Sequence, residues 1–324
     1  MQVLAAYHVK PGWRTDGLAE RLQLAKTMYA QGESTPGGVF GRYAGQLLHS
    51  GDMRWKQPDP AELAAMRPEE VQAFMTSVLA KAPIEIVIVG DIGVEEAIAA
   101  TARTFGALPT REVRTPDPAH GKLTFPAPTP QPVVLRHKGR SDQALAFVAW
   151  PTPGYHDHQA SLRLRLLQLI INDRLFDRLR TQEGKTYSPQ GDLYTPLAFP
   201  TYGYLMESIE TPQAQIPGVM AAIDAIVADL ATNEVSADEL DRVRRPRIEL
   251  WRRNLTTNDY WAGTLPGVWE DEDVLTAART NVAAFAKVTP AELKAAAKAY
   301  LSPDRAYRLT VVPEALITAV GTRP

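Results

Sequence analysis

One stretch of the chain gathers residue types that could do chemistry together: Leu175-Phe176-Asp177-Arg178-Leu179-Arg180-Thr181-Gln182-Glu183-Gly184-Lys185-Thr186-Tyr187-Ser188. Arg180 closes an apolar helix pattern, Tyr187 opens a strand pattern, and Gly184 stands in the turn between them. A guanidinium is always charged and an ordinary phenol keeps its proton at neutral pH, so both side chains are donors. Two donors aimed at one point suit the oxyanion of a tetrahedral intermediate in amide hydrolysis. Taken alone, an arginine at a helix C-terminus and a tyrosine on a strand are more often ordinary packing residues.

Other constellations fall short of chemistry. His8, His49, His120 and His137 each stand alone, and are expected to be ordinary surface or half-buried histidines. His156-Asp157-His158 is the only close pair. It has no third ligand nearby and reads as a solvated helix start. Neither His-Glu-x-x-His nor His-x-x-Glu-His occurs, nor a Gly-x-Ser-x-Gly elbow, a phosphate loop or a Gly-x-Gly-x-x-Gly turn. The acidic run Glu270-Asp271-Glu272-Asp273 lacks the spacing of a calcium loop, and is expected at a helix start, where the dipole favours negative charge. With no cysteine there is no disulfide, thiolate zinc site or thiol nucleophile.

The elements around Arg180 and Tyr187 follow from periodicity. Ala144 to Trp150 is apolar throughout and predicts a buried strand, ended by Pro151-Thr152-Pro153-Gly154. Leu162, Leu166, Leu169, Ile170 and Leu175 recur at helical spacing and predict a helix over 156–180. Strands are expected over 187–194 and 202–209, and a helix over 217–232. Ser236-Ala237-Asp238-Glu239 predicts a capping box, and Pro246 should kink the helix that follows. Helices and antiparallel strands mix without a βαβ rhythm. The fold class is therefore α+β, a mixed, largely antiparallel sheet with helices on one face.

A length of 324 residues predicts about two domains. Lys+Arg number 35 and Asp+Glu 37, a net charge of -2, which leaves no electrostatic footprint for nucleic acid. No apolar run approaches the ~18 residues of a membrane span, so none is expected. Met1 to Lys10 has no basic stretch followed by an apolar one, as a signal peptide would. Seven prolines between Pro109 and Pro132 predict an extended linker.

The two flanking parts resemble each other at a fixed offset. Pro68 and Pro290 lie 222 residues apart (290 − 68), each opening a helix. At that offset Glu70 meets Glu292, Val71 meets Leu293, and Val87 and Val89 meet Leu309 and Val311. In both copies an apolar run follows the helix, Ile84 to Gly90 and Tyr307 to Val312, and each predicts a strand. The second copy starts near Val133, which puts the expected start of the first about ninety residues before Met1. Hence 1–110 reads as the latter half of a domain, 111–132 as a Pro-rich linker and 133–324 as a complete domain.

The Leu179–Ser188 run resembles the C-terminal-domain signature of the pitrilysin/insulinase zinc peptidases, the inverzincins. That signature is Leu-Arg-Glu-x-x-Gly-x-x-Tyr-Ser, and Thr181 here replaces its acidic residue. Ile86-Val87-Ile88-Val89-Gly90-Asp91 and the later Phe105-Gly106 are similar to the end of such domains. The resemblance implies four homologous α+β domains in two halves that enclose a chamber, with zinc and its Glu base in the first domain. It implies that Arg180 and Tyr187 reach the substrate carbonyl or oxyanion as catalytic and substrate-binding residues. On this reading the complete enzyme uses zinc and this chain binds none. The partners are a peptide substrate and a zinc-bearing N-terminal half, in the same or a partner chain, without which the chain is inactive. The family likeness favours the periplasm over the cytoplasm. The alternative is a non-catalytic scaffold subunit of the same fold. A free-standing subunit paired with a zinc-bearing chain is the third reading, disfavoured by the incomplete first copy.

Overall fold

In a computed structural model, the structure describes residues 1–113, 120–183, 189–268 and 271–314. In chain order the first elements are helices α1 (Gln2–Val9), α2 (Thr15–Gly32), α3 (Pro36–Leu48), α4 (Pro60–Ala65), α5 (Pro68–Lys81) and α6 (Val94–Ala102). Then come β1 (Val133–His137), β2 (Ala144–Thr152), α7 (His158–Glu183), β3 (Gln190–Tyr194), β4 (Gly203–Thr211) and α8 (Ile216–Thr232). The chain ends with α9 (Ala237–Asn254), α10 (Asn258–Thr264), α11 (Glu272–Lys287), α12 (Pro290–Tyr300) and β5 (Tyr307–Pro313). The α+β class expected from the sequence holds.

The chain divides into two compact units. One gathers Tyr29–Gln57, Pro118–Trp251 and Thr280–Pro324; the other gathers Met1–Met28, Pro58–Asp117 and Arg252–Arg279. The first contains a five-stranded sheet in the order β1-β5-β2-β4-β3. β1 runs parallel to β5, pairing Val133 with Leu309 and His137 with Pro313. All other neighbours are antiparallel, with β2 on β4 from Ala144↔Thr211 to Thr152↔Gly203. In β2 every residue except Pro151 is buried, so both faces of this strand need cover. On one face, α7, α8 and α12 bury Trp150, Leu166, Ile170, Leu205, Ile223 and Leu293 in one core. On the other, Val39, Ala44 and Leu48 of α3 pack with Phe147, Leu309 and Val311. Cover on one face alone was expected; apolar residues on both faces of β2 and β5 require the second layer.

Local rules explain the ends of these elements. Thr289 and Glu292 form both bonds of a capping box on α12, with Pro290 in the first turn. Ser236 accepts from the Glu239 N–H at 3.1 Å, but the Glu239 carboxylate pairs with Arg174 instead of completing the box. α9 continues past Pro246. Residues 213–232 are long and apolar enough to cross a membrane, unlike the sequence expectation. In this fold Val219, Ile223, Ile226, Val227 and Leu230 of that segment are core residues.

The second unit is built differently. Among the described residues no strand precedes Val133. The strand expected over Ile84 to Gly90 is not formed: among the described residues the run enters no ladder, because β structure needs a partner strand and none is paired with it. Leu63 and Ala278 are the buried apolar residues of this unit among those described.

The offset of 222 recurs in the elements themselves. Added to Thr15–Gly32 it gives the bounds of α9, 237 and 254. Added to the first residues of α3 and α5 it gives the first residues of α10 and α12, 258 and 290. Added to the last residue of α4 it gives the end of α11, 287. Residues 85–91 then correspond to β5.

Candidate functional site

The candidate site is where α7 ends and β3 begins. α7 is tied along its length to its neighbours. Arg163 pairs with Glu292 at 2.9 Å, and Arg165 reaches Asp192 at 2.7 Å and the Leu193 carbonyl at 2.9 Å. Asp173 pairs with Arg242 at 2.7 Å. Arg174 donates to Glu239 at 2.6 and 3.0 Å and to Asp229 at 2.7 Å. These bonds come from α8, α9, α12 and β3, so the axis of α7 is held from several sides. Arg180 lies in the last turn of α7, but its side chain is outside the described residues, as is the whole of 184–188 with Tyr187. The meeting of Arg180 and Tyr187 expected from the sequence therefore lies outside the described residues.

What receives the chain after that turn is described. β3 is an edge strand, held to β4 by Gln190↔Ser208, Gly191↔Glu207 and Asp192↔Met206. Glu207 is 0% exposed, and neither of its carboxylate oxygens has a hydrogen-bond partner among the described residues. It occupies the space above Gly191, where a Cβ would collide with its carboxylate. Burial, and then the charge of Asp192, raise the Glu207 carboxyl well above the usual carboxylate range. That direction favours the protonated form of the carboxyl, which can donate in a hydrogen bond. Arg247, which feels the charges of Arg165 and Asp192, is half-buried and stands 5.4 Å over the Trp251 ring. Burial, then Arg165, lower its pKa. Glu207 belongs to none of the motifs read from the sequence. Its signal is the alternation Leu205-x-Glu207-x-Ile209, which puts a carboxyl on the apolar face of a strand.

The lone histidines have structural surroundings, and two are more deeply buried than expected. His49 is stacked on Trp55 at 3.9 Å and on Tyr202 at 5.0 Å. Its Nδ1 lies 2.6 Å from the Gly45 carbonyl, and burial lowers its pKa. The Tyr202 hydroxyl donates to the Leu48 carbonyl at 2.7 Å. His137 is 0% exposed, with Nε2 2.8 Å from the Gln143 carbonyl while Nδ1 accepts from the Gly139 N–H at 3.1 Å. Among the described residues no three His, Asp or Glu side chains come together as a metal site, so these residues do not fit a zinc ion.

Comparison with known proteins places this geometry. The family described as the peptidase M16 inactive domain matches residues 65–246, which include α7, β3 and β4. The chloroplastic stromal processing peptidase of Arabidopsis thaliana is 24% identical over 267 residues, covering 67% of this chain and 21% of that protein. The chain thus spans about a fifth of the length of the curated relatives it matches. A protease from Helicobacter pylori is similar in structure, with a TM-score of 0.77 at 14% identity over 96% of this chain and 75% of that one. A peptidase M16 inactive domain from Pseudomonas fluorescens gives 0.71 at 19% identity over 95% of this chain and 73% of that one.

Proposed function

The chain belongs to the peptidase M16 inactive-domain family, and on that premise we propose that it is the non-zinc, C-terminal portion of a zinc metalloendopeptidase. In this reading it works with a zinc-bearing N-terminal half, in the same or a partner chain. The zinc held there supplies the activated water, and this chain supplies two donors to the substrate carbonyl or its oxyanion, Arg180 and Tyr187. The observation that carries the reading is the run Leu179-Arg180-x-x-x-Gly184-x-x-Tyr187-Ser188 at the junction of α7 and β3, inside the family-matched residues. The proposed domains are 1–110 and 133–324 joined by 111–132. The recurrence of element bounds at an offset of 222 supports them as two copies of one plan.

The test is peptide hydrolysis by the chain combined with a zinc-bearing half that carries His-x-x-Glu-His. Tyr187→Phe should lower kcat by about 10²–10³-fold, roughly 2.7–4 kcal/mol, with bound zinc unchanged. Equal turnover in the two proteins would withdraw the role of Tyr187. A second reading is a non-catalytic scaffold subunit, favoured by the match to an inactive domain. It predicts a stable complex without hydrolysis in any combination.

A further inference from the structure

The 222-residue correspondence says what should lie beside residues 84–89. Their counterpart, β5, is the second strand of the five, flanked by β1 on one edge and by β2 on the other. In β5, Leu309, Thr310 and Val311 are 1%, 5% and 0% exposed. The corresponding Val87, Ile88 and Val89 have no strand on either edge among the described residues, and Ile88 is 38% exposed. Among the described residues none of 84–89 takes part in a backbone hydrogen bond.

The helix beside this run repeats the contrast. Phe74 of α5 is 68% exposed, where its counterpart Ala296 is 6% exposed. Among the described residues, sixteen of the 22 exposed large apolar side chains belong to this unit, too many to be scattered single exposures. A cavity of about 520 Å³, lined by His8, Trp13, Leu79, Ala80, Leu108 and Arg111 among others, opens in the same unit. Leu79 and Ala80 correspond to Leu301 and Ser302. There, β2 supplies Trp150, fully buried, whose Nε1 donates to the Ser302 carbonyl at 3.2 Å. The cavity thus lies at the counterpart of the place that a strand side chain fills in the other unit.

We propose that Ile84–Val89 is a vacant inner strand, and that a polypeptide folded like residues 133–180 of this same chain docks on it. That partner would add one strand parallel to 84–89 on one edge and one antiparallel strand on the other. It would place a bulky apolar side chain from the antiparallel strand against Leu79 and Ala80, and cover Phe74 with an apolar helix. Main-chain bonds give such strand addition its affinity, and the side-chain pocket its specificity. The proposal rests on the reading of this chain as one portion of a larger peptidase, and names the surface through which the other portion is held.

The 324 residues hold no cysteine, so Ile88→Cys gives this chain a single thiol. The probe is the His-x-x-Glu-His-bearing chain from the same source, mixed or co-expressed with it. Expected are a stable complex, maleimide labelling of the Ile88→Cys thiol slowed at least tenfold, and slowed amide exchange over 84–89. Leu197→Cys, exposed in the other unit, should label at an unchanged rate. Val87→Pro removes an N–H that the free chain leaves unbonded. It should leave the Tm of the free chain unchanged and abolish the complex. A complex in which the Ile88→Cys thiol labels at the free rate, or one indifferent to Val87→Pro, overturns the docking surface. Hydrolysis by that complex would still uphold the peptidase reading. Protection of the Ile88→Cys thiol without hydrolysis in any combination upholds the surface and sinks the peptidase reading. Absence of any complex, or protection in the free chain through self-association, overturns the proposed occupant.

Discussion

α5 and α12 begin 222 residues apart, each with a proline in its first turn and a glutamate two residues on. Leu293 of α12 is 1% exposed; its counterpart Val71 of α5 is 37% exposed. Leu301 is fully buried, while its counterpart Leu79 lines an open cavity. The helices differ at the cap, a box made by Thr289 and Glu292 on α12 and no side-chain cap bond on α5, but a cap does not decide whether the apolar face further along is covered. The difference is the sheet: α12 rests against a core that includes residues of β2, and among the described residues α5 has no strand to rest on. The same local pattern thus yields a core helix or a half-exposed one according to whether strands from elsewhere arrive to cover it.

The comparison can be broken by mutation. The largest effect is expected at Leu293→Ala, which should cost about 2–5 kcal/mol in denaturant unfolding followed by circular dichroism, as buried Leu→Ala changes do. A cost below about 1 kcal/mol would mean that the covered unit is not the stable one.

A smaller effect is expected at Glu207→Gln. Burial raises this carboxyl in the folded chain above its ordinary 4.5, so between the two values the folded chain holds one proton more than the unfolded chain. Stability therefore falls as pH rises above about 4.5, and is lost progressively up to the raised value. Glu207→Gln stays neutral; it should flatten that slope and be more stable than the parent at pH 7. Equal pH slopes for the two proteins would show that Glu207 has a partner in solution.

His49 titrates with the opposite sign. Its folded pKa lies below the ordinary 6.5, so the unfolded chain binds the proton first and stability falls as pH drops below that value. His49→Phe keeps an aromatic ring between Trp55 and Tyr202, and should lose this acid-side slope in thermal scans between about pH 5 and 7. The smallest effect belongs to the open unit. Val71→Ala should change stability by no more than about 0.5 kcal/mol, as exposed substitutions do. A loss as large as that at Leu293 would show that this face is covered in the free protein.

The sequence alone was enough for the features that depend on near neighbours. Thr289, Pro290 and Glu292 specify a helix start within four residues. The apolar run from Ala144 to Trp150 specifies a buried strand, and the 222-residue offset is legible as repeated text. Arg180 and Tyr187 were legible as donor types in a signature, though their meeting lies outside the described residues. Only the tertiary structure decided the rest, because pairing and cover come from residues far along the chain. It decided that α3 covers the second face of the sheet, and that β1 joins β5 in parallel across more than 170 residues. It put Glu207 in an apolar interior with no hydrogen-bond partner among the described residues, and sent the Glu239 carboxylate to Arg174 rather than to its own helix cap. It also left Ile84–Val89 without a strand partner among the described residues, because an apolar, β-branched run records a preference for a pleated, buried surface and carries no neighbour of its own.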